Sequence, residues 1–180
     1  KPIVSKDRAV EFMKSRGISE QITRKYNITT QIERENVIVF PFYDVDGKLV
    51  GAKYRDSEFT AEKKKREPKA SKEWFEKDSK PVLFGITQCK DFTRLVITEG
   101  QLDSLSLAES GIDNAVSVPN GANGFTWIEH CYDWVSKFDE IVIFGDCERG
   151  KITLVDGIST KFAGKRIKVV RMMDYLGEKD

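Results

Sequence analysis

Arg94-Leu-Val-Ile-Thr-Glu-Gly-Gln-Leu-Asp103 is the stretch on which the fold turns. Its opening residues make a nearly continuous apolar run, the pattern of a strand buried on both faces. Leu102, Leu105 and Ala108 then fall on one side of a helix. Asn114-Ala-Val-Ser-Val118 and Glu140-Ile-Val-Ile-Phe144 repeat the apolar run, and a helical stretch over 152–162 leads to a fourth, Arg166-Ile-Lys-Val-Val170. Apolar strands alternating with helices predict an α/β unit, a mostly parallel Rossmann-like sheet flanked by helices. Ligands of such sheets collect where strands end and helices begin.

Upstream the period changes. Ser5 predicts a cap for a helix over 6–16, with Ala9, Val10, Phe12 and Met13 as its apolar stripe and Gly17 as its stop. Ser19 predicts a second short helix ending near Tyr26. Residues 36–43 and 48–55 read as two strands joined at Asp46-Gly47, a hairpin turn signal. Residues 56–80 mix Lys63, Lys64, Lys65, Arg66, Lys69, Lys72, Lys77 and Lys80 with acids, and read as a mixed-charge loop. The expected division is a small α+β subdomain with a β-hairpin over 1–85 and the α/β domain over 86–180.

Lys and Arg number 30 against 29 Asp and Glu, a net charge of +1. A protein that coats nucleic acid through general positive charge is excluded, so any phosphate-binding charge must be local. No apolar run approaches the length of a membrane span. Cys89, Cys131 and Cys147 are widely spaced, and His130 beside Cys131 lacks a second ligand pair, so no zinc site is expected. The chain starts at Lys1 and stops at Asp180 among polar residues, which suggests an excerpt of a longer polypeptide.

Carboxylates mark the expected strand ends. Glu99 follows the first strand directly, Gly100 permits a sharp turn, and Asp103 falls in the first helical turn. Phe144-Gly-Asp-Cys-Glu-Arg-Gly150 puts Asp146 and Glu148 at the same sheet edge. Converging carboxylates repel unless a cation offsets them, and hard oxygen donors suit Mg²⁺ or Mn²⁺. A plainer alternative stays open: Asp103 favours the helix N-terminus, worth about 0.3–1 kcal/mol, and Asp146 and Glu148 are solvated loop residues.

Thr98-Glu-Gly-Gln-Leu-Asp103, Val116-Ser-Val-Pro-Asn-Gly121 and Ile141-Val-Ile-Phe-Gly-Asp-Cys-Glu-Arg-Gly150 together resemble the Toprim domain of primases, topoisomerases and some nucleases. The resemblance is strongest to the bacteriophage primase–helicase family, to which the mitochondrial helicase Twinkle is related. It extends upstream through Phe12-Met-Lys-Ser-Arg-Gly-Ile18, Tyr43-Asp-Val-Asp-Gly-Lys-Leu-Val-Gly51, Lys53-Tyr-Arg-Asp56 and Leu83-Phe-Gly85. Topoisomerases and Toprim nucleases lack that upstream portion. The resemblance implies a Toprim DNA primase core, with Glu99 as the family's glutamate, Asp103 as the acid one helical turn later, and Asp146 and Glu148 at its Asp-x-Asp motif. Asp180 resembles a further family acid. This chain departs from the motif in carrying Glu at the second acid and in needing a one-residue shift after Phe144. The unshifted alignment puts Gly145 and Cys147 at the motif acids instead.

Lys53 and Arg55 lie two apart on a strand and share a face. The resemblance implies that they meet nucleotide phosphates or template opposite the Toprim acids, with Lys48 a weaker candidate. Lys63 to Arg66 read as a solvent-facing loop able to follow a template backbone. Asn120, Gly121, Asn123 and Gly124 read either as a phosphate-approaching loop or as a tight turn. Lys151 is placed to help a helix N-terminus hold an anion.

The expected activity is RNA primer synthesis on single-stranded DNA from ribonucleoside triphosphates. Mg²⁺ or Mn²⁺ is the implied cofactor, a fused or separate replicative helicase the implied partner, and the cytoplasm of a bacterial or phage-infected cell the implied setting. A Toprim nuclease and a catalytically weak Twinkle-like nucleic-acid-binding module fit the same acids.

Overall fold

The computed structural model describes residues 7–121, 124–147 and 151–171. The chain divides into two compact units, one built from 1–42 and 49–80, the other from 43–48 and 81–180.

The first unit opens with α1 (Arg8–Ser15), which buries Ala9, Val10 and Met13. Its cap is Asp7, whose carboxylate accepts from the Val10 amide at 3.3 Å. The expected cap, Ser5, lies outside the described residues. Gly17 ends the turn at φ +76°, a conformation free of strain only for glycine. Ser19 caps α2 (Glu20–Lys25) as its sequence predicts, accepting from the Ile22 amide at 3.3 Å.

β1 (Thr29–Gln31), β2 (Arg34–Tyr43), β3 (Leu49–Asp56) and β4 (Glu73–Phe75) form a four-stranded sheet in the order β1-β2-β3-β4. In the β2–β3 turn the Asp44 carboxylate accepts from the amides of Asp46 and Lys48 at 3.1 and 2.9 Å. Of the Asp46-Gly47 pair only Gly47 takes a positive φ, +78°.

The stretch expected as a 56–80 loop carries two elements. Thr60 caps the short helix α3 (Ala61–Arg66), and β4 pairs antiparallel with β3 in the register Lys53↔Phe75, Tyr54↔Trp74, Arg55↔Glu73. The charges obscured an aromatic pair. Phe75 packs 5.3 Å from the buried Phe42 ring, and Trp74 stacks on Tyr54 at 5.6 Å. Packing of those two half-buried rings holds the strand in place.

Lys63 is drawn inward rather than outward. Its ammonium sits 2.6 Å from Asp56, which is 5 % exposed and also accepts from the Asn36 amide group at 2.8 Å and the Glu58 backbone amide at 3.0 Å.

The second unit follows the predicted alternation. β5 (Arg94–Thr98), α4 (Gln101–Glu109), β6 (Ala115–Ser117), α5 (Trp127–Val135), β7 (Glu140–Phe144), α6 (Thr153–Lys161) and β8 (Arg166–Val169) succeed one another. The sheet order is β6-β5-β7-β8 and every pairing is parallel. Leu95, Ile97, Val116, Ile141 and Ile143 form its buried centre, with Trp127, Val135, Leu154 and Ile158 from the helices. Phe84 bridges to Ser117 and extends the β6 edge by one antiparallel contact.

At the N-terminal ends of the strands the buried Glu140 receives Arg94 at 2.5 Å and Lys168 at 2.8 Å, tying β5, β7 and β8 together. Among the described residues no helix is long and apolar enough to cross a membrane.

Candidate active site

Thr98 is paired with Ser117 on one side and Phe144 on the other, so β5, β6 and β7 finish level. The chain leaves β5 at Glu99 and β7 at Gly145, side by side. The buried Thr98 hydroxyl lies 3.0 Å from the Gly100 carbonyl and 3.2 Å from the Val116 carbonyl, and donates within this pair. Gln101, 5 % exposed, donates its side-chain amide to the Ser117 hydroxyl at 3.1 Å and the Val118 carbonyl at 3.0 Å. These bonds fix the first turn of α4, and with it the exit direction of Glu99. Gln101 was passed over in the sequence, although a glutamine on the buried side of an apolar helix signals a satisfied polar contact.

The Glu99 carboxylate meets the backbone of Asp146. The Asp146 backbone amide stands 3.4 Å from Glu99 Oε2 and donates to it. Asp103 joins them through its field: loss of solvent around its carboxyl raises its pKa, the Gly100 amide opposes the rise, and the charge of Asp146 adds to it. The Asp103 carboxylate turns back to accept from that Gly100 amide at 3.0 Å and so stabilises the start of α4, as the plainer reading of this acid expected.

Gly100 itself is extended, with φ −111° and ψ 152°, so the turn does not need glycine for its dihedrals. Glycine leaves room for the Asp103 carboxylate, because a Cβ there would lie 2.7 Å from Asp103 Oδ2 and push that side chain off the Gly100 amide.

The geometry bears on the two alignments of the second acidic motif. A Cβ at position 145 would stand 2.9 Å from Ile152 Cγ2 and 3.4 Å from Leu154 Cδ1, so a side chain at 145 would be aimed into apolar packing. Position 146 is exposed and adjoins Glu99. Glu148, Asn123 and Asp180 lie outside the described residues.

Among the described residues no group of three or more His, Cys, Asp or Glu side chains is gathered tightly enough to hold a metal ion. The donor chemistry of Glu99 and Asp146 nonetheless fits a hard divalent cation. Loss of solvent is the main cause of the rise at Asp103 and the charge of Asp146 the smallest, and a divalent cation offsets carboxylate charge gathered in this way.

Asn120 is exposed beyond β6, and Gly121 takes φ +69°. The Lys151 ammonium pairs with Asp156 at 3.0 Å across the first turn of α6, a pairing the sequence reading did not foresee. In the first unit, Lys53 and Arg55 share a face as expected, and both contact Glu73. Lys48 is exposed. Lys64 donates to the carbonyls of Pro68 and Ala70 at 2.8 and 2.7 Å, and so closes its own loop. A cavity of about 250 Å³ in the first unit is lined by Arg8, Glu11, Phe12, Glu35, Asn36, Ser57 and Glu58. Its three glutamates make it the wrong sign for a phosphate.

No protein-family model matches the chain. It is 26 % identical over 181 residues to the "Primase homolog protein" of Arabidopsis thaliana, covering 92 % of this chain and 50 % of that protein. It is 25 % identical over 177 residues to the "Twinkle homolog protein, chloroplastic/mitochondrial" of the same plant, covering 89 % of this chain and 23 % of that protein. Thus the chain spans half the length of one curated relative and a quarter of the other. Among solved structures it is similar to the zinc-binding and RNA polymerase domains of Aquifex aeolicus primase, with a TM-score of 0.73 at 20 % identity, over 93 % of this chain and 50 % of that chain. The fold is that of primase catalytic cores.

Proposed function

We propose that this chain is the polymerising core of a DNA primase, joining ribonucleotides on a single-stranded DNA template by nucleotidyl transfer. The observation that supports the reading is the contact of the Glu99 carboxylate with the Asp146 backbone, which puts both residues at neighbouring parallel strand ends in a chain with the fold of primase catalytic cores. Glu99, Asp146 and Glu148 would hold Mg²⁺ or Mn²⁺, which when bound supplies Lewis-acid stabilisation of charge on the attacking and leaving oxygens.

The chain's own residues do the rest. Gln101 and Thr98 hold Glu99 at the strand end. Asp103 tunes the site by adding negative field while its carboxylate stays on the Gly100 amide. Lys53 and Arg55 take phosphate oxygens of the nucleotide or template, the arginine through its planar fork and the lysine as a compact charge. Asn120 and Lys151 lie on loops that follow strand ends and add hydrogen-bond donors for phosphate. Residues 1–85 would thus contribute phosphate binding, and 86–180 the Toprim-type acids. A replicative helicase, fused or separate, is the partner that the resemblance to phage primase–helicases supports.

The test is to incubate the chain with single-stranded DNA, Mg²⁺ and labelled ribonucleoside triphosphates, and to resolve the products by length. Ribonucleotide oligomers are expected, and they should vanish in Glu99→Gln and Asp146→Asn variants that melt like the unaltered chain. Shortened DNA without oligomers would identify a nuclease instead. Neither product, with nucleotide bound and no Mg²⁺-dependent heat in calorimetric titration, would identify a binding module.

A further inference from the structure

The Lys53–Glu73–Arg55 cluster carries more than the cation pair the sequence singles out. Glu73 sits on β4 directly across from Arg55, and its two oxygens divide between the cations: Oε2 is 2.9 Å from the Lys53 ammonium, and Oε1 accepts from the Arg55 guanidinium. Each cation also lies over a ring. Lys53 is 5.7 Å from the centre of Phe75, and Arg55 is 5.6 Å from the centre of Phe12. Both side chains are only 13 % exposed, against 30 % for Glu73. Two like charges so placed repel at close range and are poorly hydrated, and a shared carboxylate is what lets them stay together. The burial of Glu73 pushes its pKa up, but the Lys53 hydrogen bond and the charges of Lys53, Arg55 and Lys72 outweigh it and hold it below the ordinary carboxylate value.

We infer that Glu73 is a positioning residue, holding Lys53 and Arg55 as one preformed phosphate-binding unit with a single net positive charge. This rests on the proposed reading of those two cations as phosphate ligands. Rigid ordering of the donors before the ligand arrives lowers the ordering penalty at binding. The inference predicts an effect opposite in sign to bulk electrostatics, under which deletion of any carboxylate tightens binding to nucleic acid.

The experiment measures anisotropy of a fluorescein-labelled oligothymidylate titrated with the 180-residue chain at several salt concentrations. Glu73→Ala is expected to weaken binding about tenfold, with a shallower salt dependence because the cations no longer engage together. Glu73→Gln should fall between, since it keeps one accepting oxygen but loses the second and the negative charge. Glu62→Ala, which removes an exposed carboxylate from α3, should leave binding unchanged or tighten it. Tighter or unchanged binding by both Glu73 variants overturns the positioning role. If Glu73→Ala melts early, the sign of the Glu73→Gln effect decides. Lys53→Ala and Arg55→Ala separate the two levels: undiminished binding by both overturns the phosphate-ligand reading itself. Absence of any binding by the unaltered chain overturns both.

Discussion

Gly145→Asp tests where the second acidic motif begins. One alignment places its first acid at 145, and the substitution installs that acid outright. A Cβ there comes within 2.9 Å of Ile152 Cγ2 and 3.4 Å of Leu154 Cδ1, at the start of α6. The backbone at 145 is not left-handed, so the penalty is one of space and solvation rather than of dihedral strain. Overpacking of this kind costs about 1–3 kcal/mol, and a carboxylate facing methyl groups adds roughly another 1–3 kcal/mol of lost hydration. For a chain of this size each kcal/mol lowers the melting temperature by about 2–4 °C, so the expected drop is at least several degrees. Gly145→Ala separates the two contributions, because it keeps the steric part and omits the charge. The assay pairs a thermal melt with calorimetric titration of Mg²⁺, for Gly145→Asp alone and combined with Asp146→Asn. The expected result is a destabilised protein in which position 145 does not restore metal binding lost at 146. A Gly145→Asp, Asp146→Asn protein as stable as its parent and binding Mg²⁺ as tightly as the unaltered chain would refute the placement.

Other expectations follow from the contacts. Glu99→Gln should abolish the metal-dependent heat with little change in melting temperature, because the half-exposed carboxylate supports no core packing. Asp56→Ala should destabilise by about 1–3 kcal/mol in chemical denaturation, because it removes the buried acceptor of the Asn36 side-chain amide and the Glu58 backbone amide. Burial pushes the Asp56 pKa up, but the hydrogen bonds from Lys63, Asn36 and the Glu58 amide outweigh it, so Asp56, like Glu73, titrates below the ordinary carboxylate range. A depressed folded-state pKa stabilises above the unfolded value, so this contribution should be full above about pH 4–5 and lost as pH falls further. Asp56→Asn should flatten that part of the stability–pH curve. Gly100→Ala should push Asp103 off the Gly100 amide and cost about 0.5–2 kcal/mol in a thermal melt, with Asp103→Asn less harmful because its amide oxygen still accepts.

The second unit was legible because its strands are short apolar runs bounded by acids and glycines, and burial on both faces leaves such runs no competing pattern. β4 was hidden for the opposite reason. Its Trp74 and Phe75 are only half-buried, and the flanking lysines and glutamates set the local average. Glu73 escaped notice as one acid among several, since nothing in a linear sequence marks which of them lands across from Arg55. The place of Glu99 at the end of β5 was legible because the apolar run stops at Thr98. The sequence reads Gly100 as a sharp turn free of a Cβ clash, and the structure adds the atom that a Cβ would meet, the Asp103 oxygen.

The Glu140 clamp has a consequence for where harmful mutations should turn up. It joins β5, β7 and β8 at the ends farthest from Glu99 and Asp146, about 17 Å from Arg94 to Glu99 at the ~3.3 Å rise of a strand residue. The ladder holds β5, β7 and β8 in one register from these ends to the strand tips, so a shift in pairing here changes where each strand's acid lies. Under the proposed function, screens for lost synthesis should recover Glu140 substitutions that leave Glu99 and Asp146 unaltered in sequence but out of alignment.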